Sequence, residues 1–214
     1  MSQKTVVIYG AATMGQELVQ AIATAGCEVI LVDHSEEKLK KGLQKVEASL
    51  DAEIARWGLT SGEKRAIMSR IKGSTDIREA AKGWLVIETL KETLDVKRQL
   101  FKELDATCKP ATIIASNSAT ISITEIASEC KYPERTIAMH FQSPTPKVPL
   151  VEISRGLKTS EETFEAAVRF AKMINKTVVS VYDCPGFITT RIILPMINQA
   201  VKVLEEGIAS CEQI

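Results

Sequence analysis

The sequence predicts an α/β fold, a Rossmann-like, doubly wound and mostly parallel sheet, on three observations. Short β-branched runs alternate with helical patterns, the runs at 6–8 and 29–32 are apolar without interruption, and a glycine-bearing turn directly follows the first run. Alternating strands and helices mark βαβ units, and an uninterrupted apolar run marks a strand covered on both faces. Helices are therefore expected on both sides of the sheet.

Taken in order, strands are expected at 5–9, 28–33, 84–88 and 112–116, each followed by a helix. Between the second and third of these lies a charged insertion, about 35–70, broken at Gly58-Leu59-Thr60-Ser61-Gly62 and restarted by a Thr60-x-x-Glu63 capping box. It reads as a helical hairpin projecting from the sheet. Further strands are expected at 136–139, 150–154 and 177–181, with a helix capped by Thr159-x-x-Glu162 between the last two. From Pro185-Gly186 onward, apolar residues from Phe187 to Leu204 recur at helical spacing, and Pro195 inside that helix predicts a kink. This organisation suggests a domain over 1–184 and a long terminal helix within 185–214.

Composition narrows the function. The 214 residues carry 27 Lys+Arg against 27 Asp+Glu, and the basic residues form no dense run, which argues against a nucleic-acid partner. No stretch reaches the ~20 apolar residues a membrane helix needs, and Met1-Ser2-Gln3-Lys4 opens no signal-peptide pattern, so a cytoplasmic protein is expected. Five scattered cysteines without a Cys-x-x-Cys pair, and two histidines in all, predict free thiols and no metal site.

The turn after the first strand is Gly10-Ala11-Ala12-Thr13-Met14-Gly15, a Gly-x-Ala-x-x-Gly form of the dinucleotide loop. Gly10 allows the tight turn, Gly15 allows close helix packing, and the helix start, with Ala12, Thr13 and Met14, faces a pyrophosphate. Asp33 ends the second strand 18 residues after Gly15, where a carboxylate hydrogen-bonds an adenosine ribose. A 2′-phosphate about 4 Å from Asp33 would be repelled by roughly 4 kcal/mol at an effective dielectric near 20, so NAD is expected over NADP. Ala12 sets a methyl group where glycine lets the backbone approach, which predicts a longer pyrophosphate contact.

His140 stands at a strand end, with ring chemistry suited to reversible proton transfer, and Glu152 on the next strand is placed to orient it. Oxidation of a secondary alcohol needs such a base and a nicotinamide to take the hydride. Tyr9, Tyr132 and Tyr182 form no Tyr-x-x-x-Lys pair, which argues against a short-chain dehydrogenase.

Several motifs occur in one order: the Gly10 loop, Ser116-Asn117-Ser118-Ala119, Met139-His140-Phe141-Gln142-Ser143-Pro144, Leu150-Val151-Glu152, and Pro185-Gly186-Phe187-Ile188-Thr189-Thr190-Arg191. Together they resemble the NAD-dependent L-3-hydroxyacyl-CoA dehydrogenase family. The run Pro195-Met196-Ile197-Asn198 through Glu206-Gly207 looks most like its 3-hydroxybutyryl-CoA branch. The resemblance implies NAD as cofactor, an acyl-CoA substrate, and His140 and Glu152 as the catalytic pair. It also implies Glu92 and Lys97 at the nicotinamide-side ribose and Asn117 near the nicotinamide. By pattern alone, Glu92 and Lys97 read as a solvated helix start. Three positions depart from the family: Ala119 replaces a serine, Ser143 an asparagine after His-Phe-Phe, and Thr190 an asparagine. They leave open the alternative of a weak or silent paralogue binding NAD or acyl-CoA as a sensor or subunit. In the inserted hairpin, Arg56 and Trp57 offer a phosphate contact and a stacking face for coenzyme A, or simply belong to a charged helix solvated on one side. The resemblance further implies a second, helical domain beginning near Ala209-Ser210, where this chain stops, so that domain is expected to be absent. The terminal helix then needs another subunit to cover it, and a homodimer is expected.

Overall fold

Apolar runs become strands where the sheet buries both of their faces. In the computed structural model, which describes residues 5–214, the chain runs β1 (Val6–Tyr9), α1 (Thr13–Thr24), β2 (Val29–Val32), α2 (Glu36–Ala55), α3 (Ser61–Ser69), β3 (Ile71–Ser74), β4 (Leu85–Glu88) and α4 (Leu94–Thr107). It continues through β5 (Ile113–Ser116), the single-turn α5 (Ile123–Ile126), β6 (Thr136–Phe141), β7 (Leu150–Arg155), α6 (Glu161–Met173), β8 (Thr177–Tyr182) and α7 (Thr189–Glu205). The reading of Met1–Lys4 as lacking a signal pattern lies outside the described residues.

The eight strands form one sheet in the order β3-β2-β1-β4-β5-β6-β7-β8. All pairs are parallel except β6 with β7, which is antiparallel. Alternate side chains of β1 enter opposite cores. Val6 and Ile8 pack with Leu18, Ile22, Leu50 and Phe170 of the helices on one face, while Val7 and Tyr9 pack with Leu100, Phe101 and Leu104 of α4 on the other. Strand order reverses between β1 and β4, and in an open α/β sheet the crevice for a ligand opens at the carboxyl ends of strands at such a point.

Four expectations need correction. β3 went unread because Ile71-Lys72-Gly73-Ser74 is an edge strand, half exposed and without an apolar run. The hairpin of α2 and α3 does not project. Leu39, Val46, Leu50 and Ile67 bury into the core shared with α1, and only the tip stands clear, with Trp57 almost fully exposed. α6 is capped by Ser160, whose hydroxyl accepts from Thr163 N–H, because Thr159 is taken up with the Gly156 N–H and the Thr136 carbonyl. The last helix starts at Thr189, not at Pro185: residues 185–188 form a turn with Gly186 at φ +88° and Phe187 buried in the second core. Within α7, which contains Pro195, no residue is buried. The Thr60–Glu63 capping box is present in both directions.

Candidate active site

The crevice is built from the carboxyl ends of β1, β2, β4, β5 and β6. After β1, Gly10 takes φ +116°, and a Cβ there would meet Thr89 Oγ1 at 2.7 Å. A Cβ on Gly15 would lie 1.8 Å from the Gly10 carbonyl oxygen, so α1 seats against the loop only without a side chain. Ala12 caps α1 with no side-chain hydrogen bond, which leaves the first-turn N–H groups of a 12-residue helix directed outward. Ala12 and Thr13 are exposed at this edge. An uncapped helix start behind a closely packed glycine turn fits a dinucleotide pyrophosphate.

Asp33 is buried and braces the cradle: Oδ2 accepts from Ala11 N–H at 2.9 Å and Oδ1 from Ser35 N–H at 3.0 Å. Sequence reasoning placed it for a ribose but missed this bracing, which ties the end of β2 to the glycine loop.

Around Lys97, a buried charge network replaces the solvated helix start that pattern alone suggested. Lys97 is 1% exposed, and its Nζ lies 2.7 Å from Glu88 Oε1 and 3.3 Å from Glu92 Oε2. Glu88, fully buried, also accepts from Ser116 Oγ at 2.7 Å, so it joins the loops after β4 and β5. Burial raises the Glu88 carboxyl above its usual range, opposed by Lys97 and Ser116. Burial also pushes Glu92 up, but donors from Ser118 and Thr120, together with Lys97, outweigh it and hold Glu92 at about 2. Glu88 has no role legible in the sequence, because its carboxylate completes an apolar strand.

Asn117, just past β5, accepts from Phe141 N–H at 2.9 Å and thereby sets the spacing between β5 and β6. His140 and Glu152 are direct partners in the antiparallel β6–β7 register, which puts both side chains on one face. His140 Nδ1 lies 2.8 Å from Glu152 Oε2, and the other carboxylate oxygen accepts from Ile188 N–H and Thr189 N–H at 3.0 Å each. Burial pushes the Glu152 carboxyl up, but these donors prevail and lower it below the usual range. An ionised Glu152 selects the tautomer with the proton on Nδ1, leaving Nε2 as the free, proton-accepting nitrogen.

A cleft of about 340 Å³ brings Met14, Glu92, Lys97, Asn117 and His140 together, with Ala119, Gln142 and Ser143 on its wall. Gly10, Ala12, Thr13, Gly15 and Asp33 form the adjoining cradle rather than the cleft wall, and Glu152 sits behind His140. Of the departures, Ala119 lines the cleft without a hydroxyl, and Ser143 donates its hydroxyl to Glu17 at 2.9 Å. Arg56 and Trp57 do not line this cleft. Among the described residues no group of three metal-ligating side chains occurs, and no helix is long and apolar enough to cross a membrane.

A dinucleotide cradle opening onto a cleft with a carboxylate-held histidine defines the class: an NAD-dependent oxidoreductase. The family is equally plain. The model described as 3-hydroxyacyl-CoA dehydrogenase, NAD binding domain, matches residues 5–184, and that described as the C-terminal domain matches residues 186–214. A probable 3-hydroxybutyryl-CoA dehydrogenase of Bacillus subtilis is 39% identical over 214 residues, covering 100% of this chain and 75% of its own length. The 3-hydroxybutyryl-CoA dehydrogenase of Bradyrhizobium diazoefficiens is 40% identical over 211 residues, 99% of this chain and 72% of its own. The crystal structure of (S)-3-hydroxybutyryl-CoA dehydrogenase from Ralstonia eutropha matches with a TM-score of 0.92 at 42% identity, covering 100% of this chain and 75% of that one. The chain belongs to the 3-hydroxyacyl-CoA dehydrogenase family, and its cofactor is NAD.

Proposed function

We propose that the protein interconverts (S)-3-hydroxyacyl-CoA and 3-ketoacyl-CoA, with 3-hydroxybutyryl-CoA as substrate and His140 as the base that takes the C3 hydroxyl proton. The observation that carries the mechanism is the 2.8 Å contact between His140 Nδ1 and a Glu152 carboxylate held by two backbone N–H groups. Bound NAD supplies the hydride acceptor in oxidation, and its reduced form the donor in the reverse direction. In oxidation, the free Nε2 of His140 takes the hydroxyl proton while Glu152 stabilises the imidazolium; in reduction the same nitrogen returns it. Gly10, Ala12, Thr13, Met14 and Gly15 hold the pyrophosphate, and Asp33 takes the adenosine ribose with the oxygen lone pairs its backbone contacts leave. Lys97 and Glu92 take the nicotinamide-side ribose, and Asn117 borders the nicotinamide.

Residues 1–184 then form the NAD-binding domain, and 185–214 a linker helix and the start of the helical C-terminal domain, whose family model matches from residue 186. The apolar outer face of α7, with Ile192 and Met196 each 62% exposed, is covered in a homodimer. A cytoplasmic location accords with the free state of all five cysteines. The test is NADH oxidation driven by acetoacetyl-CoA, expected in the wild type and collapsed in His140→Ala. Normal turnover in that variant removes His140 from the mechanism. Light scattering that shows a clean monomer at micromolar concentration removes the dimer.

A further inference from the structure

Gln142 follows β6 by one residue and lines the cleft beside His140. Its side-chain Nε2 lies 3.2 Å from His140 Nδ1 and 3.4 Å from Glu152 Oε2. An amide nitrogen only donates, and Nδ1 already directs its proton at Glu152, so the acceptor left for the amide is the carboxylate. Turning the amide over would set its oxygen against that carboxylate, so the charge of Glu152 selects the nitrogen-inward orientation. The residue is anchored independently, because its backbone carbonyl accepts from Thr145 Oγ1 at 3.1 Å.

We propose that Gln142 is a positioning residue for the proton transfer: by donating to Glu152 and facing Nδ1, its amide loosens the carboxylate's hold on the imidazolium and favours the proton-accepting form of His140. The inference rests on the His140–Glu152 reading above. Two effects share one sign. A donor on Oε2 draws carboxylate charge away from the Nδ1 proton, and the positive hydrogens of the amide face a ring nitrogen that carries imidazolium charge. The other charged groups around His140 are independent of the amide. Glu92 and Lys97, from the α4 side, pair with each other at 3.3 Å, and Glu17 of α1 is turned onto Ser143 and the Thr145 N–H. The 185–188 turn presents the neutral Phe187 ring, centred 5.9 Å from the imidazole, and β5 presents the neutral Asn117.

Gln142→Met keeps the side-chain length and removes the donor. NMR titration of imidazole protons reads the pair directly, because the only other histidine, His34, has a 67% exposed side chain and serves as an internal reference. The His140 midpoint is expected to rise by roughly half a unit to one unit on loss of one donor. The acid limb of kcat/KM for hydroxyacyl oxidation moves with it, and His34 stays in place. A His140 midpoint that stays put or falls overturns the proposal, including when kcat drops, since that drop is then a packing effect. Should the methionine variant fail to fold, Gln142→Leu, which also removes the donor, carries the same expected rise. Glu152→Gln separates the two levels. If the His140 midpoint ignores that change too, the pair itself fails; if it responds there but not to Gln142→Met, only the role of Gln142 fails.

Discussion

Glu152→Gln changes no volume and so isolates what the carboxylate does. In the native chain one oxygen accepts two backbone N–H groups at 3.0 Å and the other accepts His140 Nδ1 at 2.8 Å. In the glutamine variant the two N–H groups of Ile188 and Thr189 select the side-chain oxygen, because an amide nitrogen there would face two donors. The NH₂ group is thereby turned onto Nδ1, which can accept only by giving up its proton. The proton moves to Nε2, and the nitrogen facing the substrate is no longer a base. The equivalent carboxylate-to-amide exchange in the serine-protease triad costs about 10⁴ in kcat through the same change of tautomer. A fall of about 10³ to 10⁴ in kcat/KM is therefore expected here, or ~4 to 5.5 kcal/mol of transition-state stabilisation. The assay is the loss of NADH absorbance with acetoacetyl-CoA, paired with fluorescence titration of NADH, whose binding should be unaffected because Glu152 lies behind His140. A loss below about tenfold, in a variant that binds NADH and melts like the wild type, refutes the orienting role.

Other consequences are equally direct. Gly15→Ala forces a Cβ to within 1.8 Å of the Gly10 carbonyl oxygen, so calorimetry should show NAD affinity falling by at least about a hundredfold, ~2.7 kcal/mol. Asp33→Ala removes the charge beside the ribose, and the NADP:NAD ratio of kcat/KM should rise by at least about tenfold, well within the ~4 kcal/mol repulsion available; an unchanged ratio would clear Asp33 of cofactor selection. Ala119→Ser returns a hydroxyl to the cleft wall and should raise kcat about tenfold, the worth of one hydrogen bond to a charged group at ~1.5 kcal/mol; an unaltered kcat makes the alanine innocent. Glu92 is lowered from 4.5 to about 2 by folding, so its ionisation stabilises the native state above about pH 4.5 and that contribution is lost as pH falls towards 2. The melting temperature of Glu92→Gln should accordingly trail the wild type at neutral pH, with the gap closing across that window.

Much of the site was legible because its parts sit where strands end. Gly10, Asp33, Asn117 and His140 each fall at or within two residues of a strand's carboxyl end, and a parallel sheet gathers those ends at one edge. What escaped notice depended on partners in different elements, 9 and 10 residues apart in the chain. Glu88 looks like the polar end of a strand until Lys97 folds back over it, and Lys97 looks solvated until α4 packs against the sheet. Gln142 carries no pattern of its own; only the 3.4 Å approach to Glu152 distinguishes it from any polar residue after a strand.

The sequence by itself determined the α/β class, the glycine turn, NAD as the cofactor and His140 as the candidate for proton transfer. Those follow from local rules: periodicity, the need for glycine at close backbone approaches, and the chemistry of single side chains. Tertiary structure alone decided the antiparallel register that sets His140 opposite Glu152, and the turn at 185–188 that feeds two N–H groups into that carboxylate. It alone buried the Glu88–Lys97 pair. The physical reason is that charge placement and hydrogen-bond direction depend on which surfaces lose water together, and these partners, 9 to 37 residues apart, meet only when the sheet is assembled.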